Sequence, residues 1–430
     1  MARAGLVKCP GQLPYMKNTS RSFRLVCDPD RIPDVEALLH DEGFAFDPEP
    51  FHPLARTLTA EPRPLGRSLA ARFGYIYIQD KSSMLPPLAL DPARGAVVLD
   101  MCASPGSKTG FLSQLVGPHG LVLANEPSAD RLATLRVNMR HLGCFNVVTS
   151  RYEGQDLPLD DGCWPLILLD APCSGWGTVD KNPRAARMWA GDKTLALENL
   201  QRDLLATAAR LLAPGGRLLY STCTTNRREN EDQVRYAVDS LGLSVIPLPF
   251  FSGFSFASSV PGCLLVDGAD SRAQGFFLAC LGKPGQAEAV APLAESVLPG
   301  EMVTGPEFSR QTGLDNSRLP EHGFLCVGGR VYLILDQARQ VLPQALRWQG
   351  FGVGKTAGNT ILPDPSARIF VPTGPDAEAL VLDEPAAVHA LLTGQSLPYD
   401  GQARRRRLYY RNLPLGFVTV KGRRCLWSDR

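Results

Sequence analysis

The sequence predicts an α/β fold built on a mostly parallel sheet of about seven strands, with a small α+β unit before it and a β-rich unit after it. Three observations carry this expectation. Residues 96–282 alternate short apolar runs with helical stretches, the pattern left by strand, crossover helix and returning strand. The 430-residue length suggests two or three domains at about 150 residues each. Apolar residues at 44% and charged residues at 20% are ordinary globular usage, which excludes wholesale disorder, collagen and coiled coil.

Residues 1–95 combine a basic lead, a helix near 33–43 and Pro-rich turns, and read as an appended N-terminal domain. The core domain is expected over 96–282, with strands at AVVLDM (96–101), LVLANE (121–126), NVVTS (146–150), PLILLDA (165–171), GRLLYSTC (216–223), LSVIPL (243–248) and GFFLACLG (275–282). Between the fourth and fifth strands, Leu197, Leu200, Leu204, Ala208 and Leu211 recur at three and four, the spacing of one helix face, and APGG follows as a stop. Residues 283–304, rich in Ala, Pro and Gly, are expected to be a linker. The 305–430 segment holds FLCVGGRVYLIL (324–335), two apolar runs around a Gly-Gly turn, and reads as a β-rich domain. WQGFGVGKT (348–356) imitates a phosphate loop, but Gln349 stands where a glycine is required, so it is read as a flexible loop.

Lys plus Arg number 45 against 43 Asp plus Glu, so attraction to nucleic acid must come from where charge sits rather than from its total. Residues 401–430 carry nine Lys or Arg against Asp429 alone, interleaved with Tyr409, Tyr410, Phe417 and Trp427. Bases that contact phosphate and rings that stack on unpaired nucleobases are one reading of such a tail, and a solvated basic segment is the other. No apolar run reaches 18 residues and the first twenty positions lack a leader pattern, so a cytoplasmic protein with no membrane partner is expected. The 11 cysteines are scattered without a C-x-x-C pair and the six histidines without helical pairing, which argues for reduced thiols and no metal.

The first core strand ends at Asp100 and runs into MCASPGSKTG, a small-residue loop opening a helix, where backbone can approach a nucleotide-like ligand. The second strand ends in Glu126, an acid placed for the ribose hydroxyls of an adenosine cofactor. The dinucleotide fingerprint G-x-G-x-x-G is absent, and Ser107 separates Gly106 from Lys108, which breaks the phosphate-loop spacing. Two cysteines sit at the ends of successive strands, Cys173 three residues after Asp170 in LLDAPCSGWG, and Cys223 in LLYSTCTTN. Either alone would be an inert small hydrophobe in most proteins, whereas together with Asp170 and the cofactor loop they read as a site.

In this order, DMCASPGSKTG, ANEPSADR, LLDAPCSGWGTVDKNP and YSTCTTNRRENE resemble the Nop/Sun (Fmu) family of S-adenosylmethionine-dependent RNA cytosine-C5 methyltransferases. GYIYIQDKSSMLPP (74–87) extends the likeness towards the N-terminus, and LPLGFVTVKGRR (413–424) more weakly resembles the RNA-binding C-terminal region of bacterial ribosomal-RNA members. The resemblance implies a Rossmann-like class I methyltransferase fold, a PUA-like RNA-binding C-terminal domain, and S-adenosylmethionine held by Cys102, Ala103, Ser104, Pro105, Gly106, Ser107, Lys108, Glu126, Glu153 and Asp170. Glu153, in RYEGQD after the third strand, stands where the family's acid is commonly Asp.

Cytosine carbon 5 is too weak a nucleophile to take a methyl group unaided, so a thiolate must first add at carbon 6. Cys223 is expected to be that nucleophile, Asp170 to hydrogen-bond or protonate ring nitrogen 3, and Cys173 to assist loss of the carbon 5 proton. The expected substrate is an unpaired or flipped cytosine in 16S rRNA or tRNA, and the protein is expected to act as a monomer. Two rivals remain at this stage. A DNA cytosine-C5 methyltransferase would use the Pro-Cys cysteine, Cys173, as nucleophile, and a non-catalytic ribosome-assembly factor would bind RNA without turnover.

Overall fold

A computed structural model describes residues 21–178, 194–286, 298–358, 360–399 and 405–428. The linker expected at 283–304 therefore lies outside the described residues between 287 and 297, as does the Cys173 motif from 179 onward.

The N-terminal unit is a four-stranded antiparallel sheet of β1 (Ser22–Leu25), β2 (Ala45–Pro48), β3 (Ala55–Ala60) and β4 (Ile76–Ile78), in the order β2-β3-β1-β4, with a helix at Ile32–Asp41.

The central sheet is built on β5 (Val97–Asp100), β6 (Leu121–Asn125), β7 (Val147–Ser150), β8 (Trp164–Asp170) and β9 (Leu212–Thr222), all parallel in the order β7-β6-β5-β8-β9. These strands are continuous apolar runs because both faces are covered: Leu99, Leu123 and Ile167 pack in one core and Val98, Val122 and Leu168 in another. The helix Leu195–Leu211 passes straight into β9. Trp164 pairs with Leu212 whereas Leu166 pairs with Arg217, so residues 213–216, the APGG read as a stop, loop out as a bulge that tolerates Pro214.

Antiparallel strands enlarge the sheet to ten. Of β10 (Ser244–Ile246), β11 (Phe256–Ala257), β12 (Leu264–Val266) and β13 (Phe276–Gly282), β13 pairs with β9, β10 and β12 pair with opposite ends of β13, and β11 forms the edge.

The C-terminal region folds as two five-stranded sheets. The first holds β14 (Glu301–Thr304), β15 (His322–Val327), β16 (Arg330–Leu335), β18 (Phe351–Ala357) and β19 (Thr360–Pro363), with β14 lying inside the expected linker. Gly328 and Gly329, both at positive φ, make the β15–β16 turn that the sequence predicted. Between β16 and β18, β17 (Trp348–Gln349) pairs with Ser150 and Thr149 of β7 and covers the far edge of the central sheet. The flexible loop expected at 348–356 is thus strand throughout most of its length. Gly354 is there because a Cβ would meet the Leu362 carbonyl oxygen of the neighbouring strand at 2.5 Å.

The second sheet holds β20 (Leu380–Leu382), β21 (Leu397–Pro398), β22 (Arg405–Tyr410), β23 (Leu413–Lys421) and β24 (Arg424–Trp427). One of its faces, with Tyr410, Val418 and Trp427, packs into a core shared with Phe23, Leu39 and Phe73 of the N-terminal unit, and Trp427 meets Phe73 edge to face at 5.6 Å. The other face, with Tyr409 and Phe417, joins the core of the first C-terminal sheet. The rings expected to stack on nucleobases are therefore core side chains: Tyr409, Tyr410, Phe417 and Trp427 are all buried. No described helix is long and apolar enough to cross a membrane.

Candidate active site

The strand order reverses between β5 and β8, the position at which parallel sheets leave a crevice beyond their carboxyl ends. The residues expected from the sequence to hold the cofactor and to do the chemistry lie at this end.

On the β5–β6–β7 side, the chain leaves Asp100 and enters the helix Ser107–Val116 through Gly106 at φ 105°, where a Cβ would meet Met139 Cε at 2.6 Å and Leu135 Cδ1 at 2.9 Å. The loop is pinned on its neighbours. The Ala103 amide donates to Asn125 O at 3.0 Å, Ser104 Oγ to Arg131 O at 3.0 Å, and Asn138 Nδ2 to Pro105 O at 2.7 Å. Asp100 is buried, its Oδ2 accepting from Thr109 Oγ1 at 2.7 Å while Oδ1 has no hydrogen-bond partner among the described residues, and burial pushes its carboxyl up to about 7. Burial also raises the Cys102 thiol. Glu126 follows β6 and is only 1% exposed; its Oε1 accepts from the Ser128 amide at 3.0 Å and its Oε2 lies 3.3 Å from Arg131 Nη2. The Asn125 side chain donates to Tyr152 O at 2.9 Å and accepts the Tyr152 amide at 3.0 Å, which ties the chain leading to Glu153 to the end of β6. Glu153 itself is exposed.

These residues fit an adenosine-bearing sulfonium cofactor. A loop of small residues lies between acids on adjacent strand ends, and the orphaned, buried Asp100 oxygen is an acceptor the fold itself leaves unfilled.

On the β8–β9 side, Asp170 pairs in register with Ser221, and Ser221 Oγ donates to Asp170 Oδ1 at 2.8 Å. Lys108, assigned from the sequence to the cofactor loop, reaches across so that Nζ stands 2.8 Å from Asp170 Oδ2. Burial opposes its charge most, but Asp170, by charge and hydrogen bond, together with Cys223 and Asp100 outweighs it, and the ammonium titrates above its ordinary range. Cys173, three residues past Asp170, meets Cys223, two residues past Ser221: their Sγ atoms are 3.1 Å apart. The bond they share splits their acidities. It lowers Cys223, which Lys108 also favours against burial and Asp170, and it raises Cys173, as do burial and nearby negative charge. The direction of that split favours Cys223 over Cys173 as the thiolate of the pair.

Sequence reasoning assigned no role to Ser221 or Glu229. Ser221 stands directly opposite Asp170 only because β8 pairs with β9, and Glu229 lies six residues beyond Cys223, in a motif whose acids look like solvated helix-start residues.

The strand order, the small-residue loop after the first parallel strand and the acid after the second define the Rossmann-like class of S-adenosylmethionine-dependent methyltransferases. The profile of the family described as 16S rRNA methyltransferase RsmB/F matches residues 87–281. The ribosomal RNA small subunit methyltransferase F of Shewanella amazonensis is 37% identical over 261 residues, 58% of this chain and 55% of that protein. Its namesake in Klebsiella pneumoniae is 36% identical over 293 residues, 66% of this chain and 60% of that one. A crystal structure of a methyltransferase homologue from Pyrococcus horikoshii superposes with a TM-score of 0.53 at 31% identity, covering 62% of this chain and 87% of that one. The chain belongs to the Nop/Sun (Fmu) family. It spans between 55% and 60% of the length of these two curated relatives.

Proposed function

We propose that the protein methylates carbon 5 of a cytosine in RNA, with 16S rRNA the foremost substrate and tRNA the second, through a covalent bond between Cys223 and carbon 6 of the base. The observation that carries this is the thiol pair, 3.1 Å between sulfurs, beside the Lys108–Asp170 ion pair at 2.8 Å.

Residues 102–108, Glu126, Glu153 and Asp170 would hold S-adenosylmethionine, with the Glu126 carboxylate on the ribose hydroxyls. When bound, that cofactor supplies the methyl group as an electrophilic carbon. Cys223, the more acidic thiol of the pair, adds to carbon 6, and the ring becomes an enamine-like nucleophile at carbon 5. As negative charge develops at ring nitrogen 3, a proton passes from the Lys108 ammonium through the Asp170 carboxyl, which Ser221 also fixes, to that nitrogen, and it returns when Cys223 leaves. Once Cys223 sulfur is bonded to carbon, the first cause that holds the Cys173 thiol protonated, its bond to Cys223, is gone, and Cys173 gives its proton to water. As a thiolate it then takes up the carbon 5 proton, the electron pair re-forms the carbon 5–carbon 6 double bond, and Cys223 leaves as thiolate. The split of acidities favours Cys223 over Cys173 as nucleophile, the opposite of the DNA-type arrangement.

The target base must be unpaired or flipped out to expose carbon 6, which favours loops and junctions. The N-terminal unit and the C-terminal sheets would supply the RNA-binding surface of a cytoplasmic monomer. The test is transfer of labelled methyl groups to small ribosomal subunits, deproteinised 16S rRNA and tRNA, followed by nucleoside analysis. Label in 5-methylcytosine is expected; label in no RNA, or in DNA alone, would overturn the reading.

A further inference from the structure

The loops that bring the cysteines together are not held by the cysteines. Ser174, next after Cys173, donates to Glu229 twice, from its backbone amide to Oε2 at 2.8 Å and from Oγ to Oε1 at 2.5 Å. Asn226, three residues after Cys223, donates Nδ2 to Glu229 Oε1 at 2.9 Å. Gln201, on the helix Leu195–Leu211, donates Nε2 to Glu229 Oε2 at 3.1 Å and to Pro172 O at 2.8 Å. Ser174 Oγ and Thr224 Oγ1 lie 2.8 Å apart and close the ring. Glu229 is fully buried, and among the described residues no Lys, Arg or His pairs with it.

A buried carboxylate with no counter-charge is costly, and a well-packed apolar residue would be the cheaper way to fill the space. Here four donors converge on its two oxygens, and they come from the Cys173 loop, the Cys223 loop and the helix behind both. We propose that Glu229 is the positioning residue of the thiol pair, a clamp that holds the Cys173 loop against the Cys223 loop and so sets the 3.1 Å contact between their sulfurs. The inference rests on the reading of Cys223 as nucleophile.

The surrounding charges agree with the geometry. Cys173 is raised first by its bond to Cys223 and by burial, and then by Cys223, Glu229 and Asp170. Cys223 answers chiefly to Cys173, burial, Asp170 and Lys108. Tyr220, whose hydroxyl donates to Glu229 O at 2.6 Å, is itself raised by burial, Cys173, Glu229 and Asp170. The carboxylate thus stands on the Cys173 side of the pair and makes a thiolate there unfavourable.

The test needs neither RNA nor turnover. The full-length protein and its Glu229→Gln and Ser174→Ala variants are alkylated with iodoacetamide across pH, and modification of Cys223 and Cys173 is followed by peptide mass spectrometry. The wild type should react at Cys223 in preference to Cys173. Glu229→Gln, which removes the charge and turns one acceptor into a donor facing donors, should cut that preference about tenfold, the effect of one unit of thiol acidity. Ser174→Ala, which keeps the backbone bond, should move it less in the same direction. Affinity for S-adenosylmethionine should be unchanged in both, and in RNA methylation kcat should fall while KM for RNA holds. A folded Glu229→Gln protein with the wild-type preference and pH profile would overturn the proposal. If that variant does not fold, an unchanged preference in Ser174→Ala would do so. Should the methylation reading itself fail, the wild type would still alkylate selectively at Cys223 yet form no bond to RNA, so the two failures are distinguishable.

Discussion

Asp100→Asn should flatten the dependence of stability on pH. In the wild type the carboxyl is buried beneath the cofactor loop, with Thr109 on Oδ2 and no hydrogen bond to Oδ1 among the described residues, and burial lifts it from 3.8 to about 7. The folded state therefore binds this proton more tightly than the unfolded chain does. The stability it contributes is fully present below about pH 4 and is lost as pH rises through 7. At 1.36 kcal/mol per unit, the window between pH 5 and pH 8 holds about 2 to 3 kcal/mol of this loss. Asparagine keeps the shape and can still accept from Thr109, but it does not titrate. Urea denaturation of both proteins at pH 5 and pH 8 checks this. The variant should lose about 2 to 3 kcal/mol less than the wild type over that interval. Equal losses would show that Asp100 is not held protonated by burial, and the argument from its orphaned oxygen would fail with it.

Three further outcomes are expected. Glu126→Ala should weaken S-adenosylmethionine binding by about 1 to 3 kcal/mol, read by calorimetry, because it removes a charge-assisted acceptor from a strand end that is 1% exposed. Lys108→Met should slow alkylation of Cys223 by roughly three- to tenfold near neutral pH, since the ammonium is one of the groups that favours that thiolate. Removal of residues 405–428 should lower the melting temperature steeply or leave the protein insoluble, because Leu408, Tyr410, Leu413, Val418 and Trp427 complete the core of the N-terminal unit, each worth about 1.5 to 3 kcal/mol; a truncated protein with unchanged Tm and merely weaker RNA binding would contradict this.

The catalytic half of the fold was legible because parallel strands covered on both faces write themselves as unbroken apolar runs, and VVLD, LVLAN and LILLD each end on or beside a site residue. The thiol pair was legible as two cysteines at strand ends, but their 3.1 Å contact depends on β8 and β9 being neighbours, which the sequence implies only through the order of its motifs. The tail was misread for a physical reason. Tyr409 and Tyr410 are consecutive, so they face opposite sides of β22, and both sides meet a core: one shared with the N-terminal unit, the other with the first C-terminal sheet. Basic residues between such rings look like a nucleic-acid platform until both partners of the sheet are known. Several of those bases are already engaged, Arg407 with Asp376 and Arg411 with Asp41. The glycines of 348–356 look like a loop in the sequence because the requirement that Gly350 and Gly354 meet, close approach by Leu333 and Leu362 backbone, comes from other strands. Glu229 escaped notice for the same kind of reason, since its donors sit 28 to 55 residues away in sequence, apart from Asn226.

The division of labour between the two thiols is tested most directly by trapping the RNA conjugate. Cys173→Ala, Cys223→Ala and the double variant are incubated with substrate RNA and S-adenosylmethionine and resolved by denaturing electrophoresis. Without Cys173 the adduct forms but resolves slowly, so Cys173→Ala should accumulate a protein–RNA conjugate that survives denaturation. Cys223→Ala and the double variant should show none, because no thiolate adds to carbon 6. A conjugate that appears in Cys223→Ala and vanishes in Cys173→Ala would reverse the assignment and contradict the acidity split on which the mechanism stands.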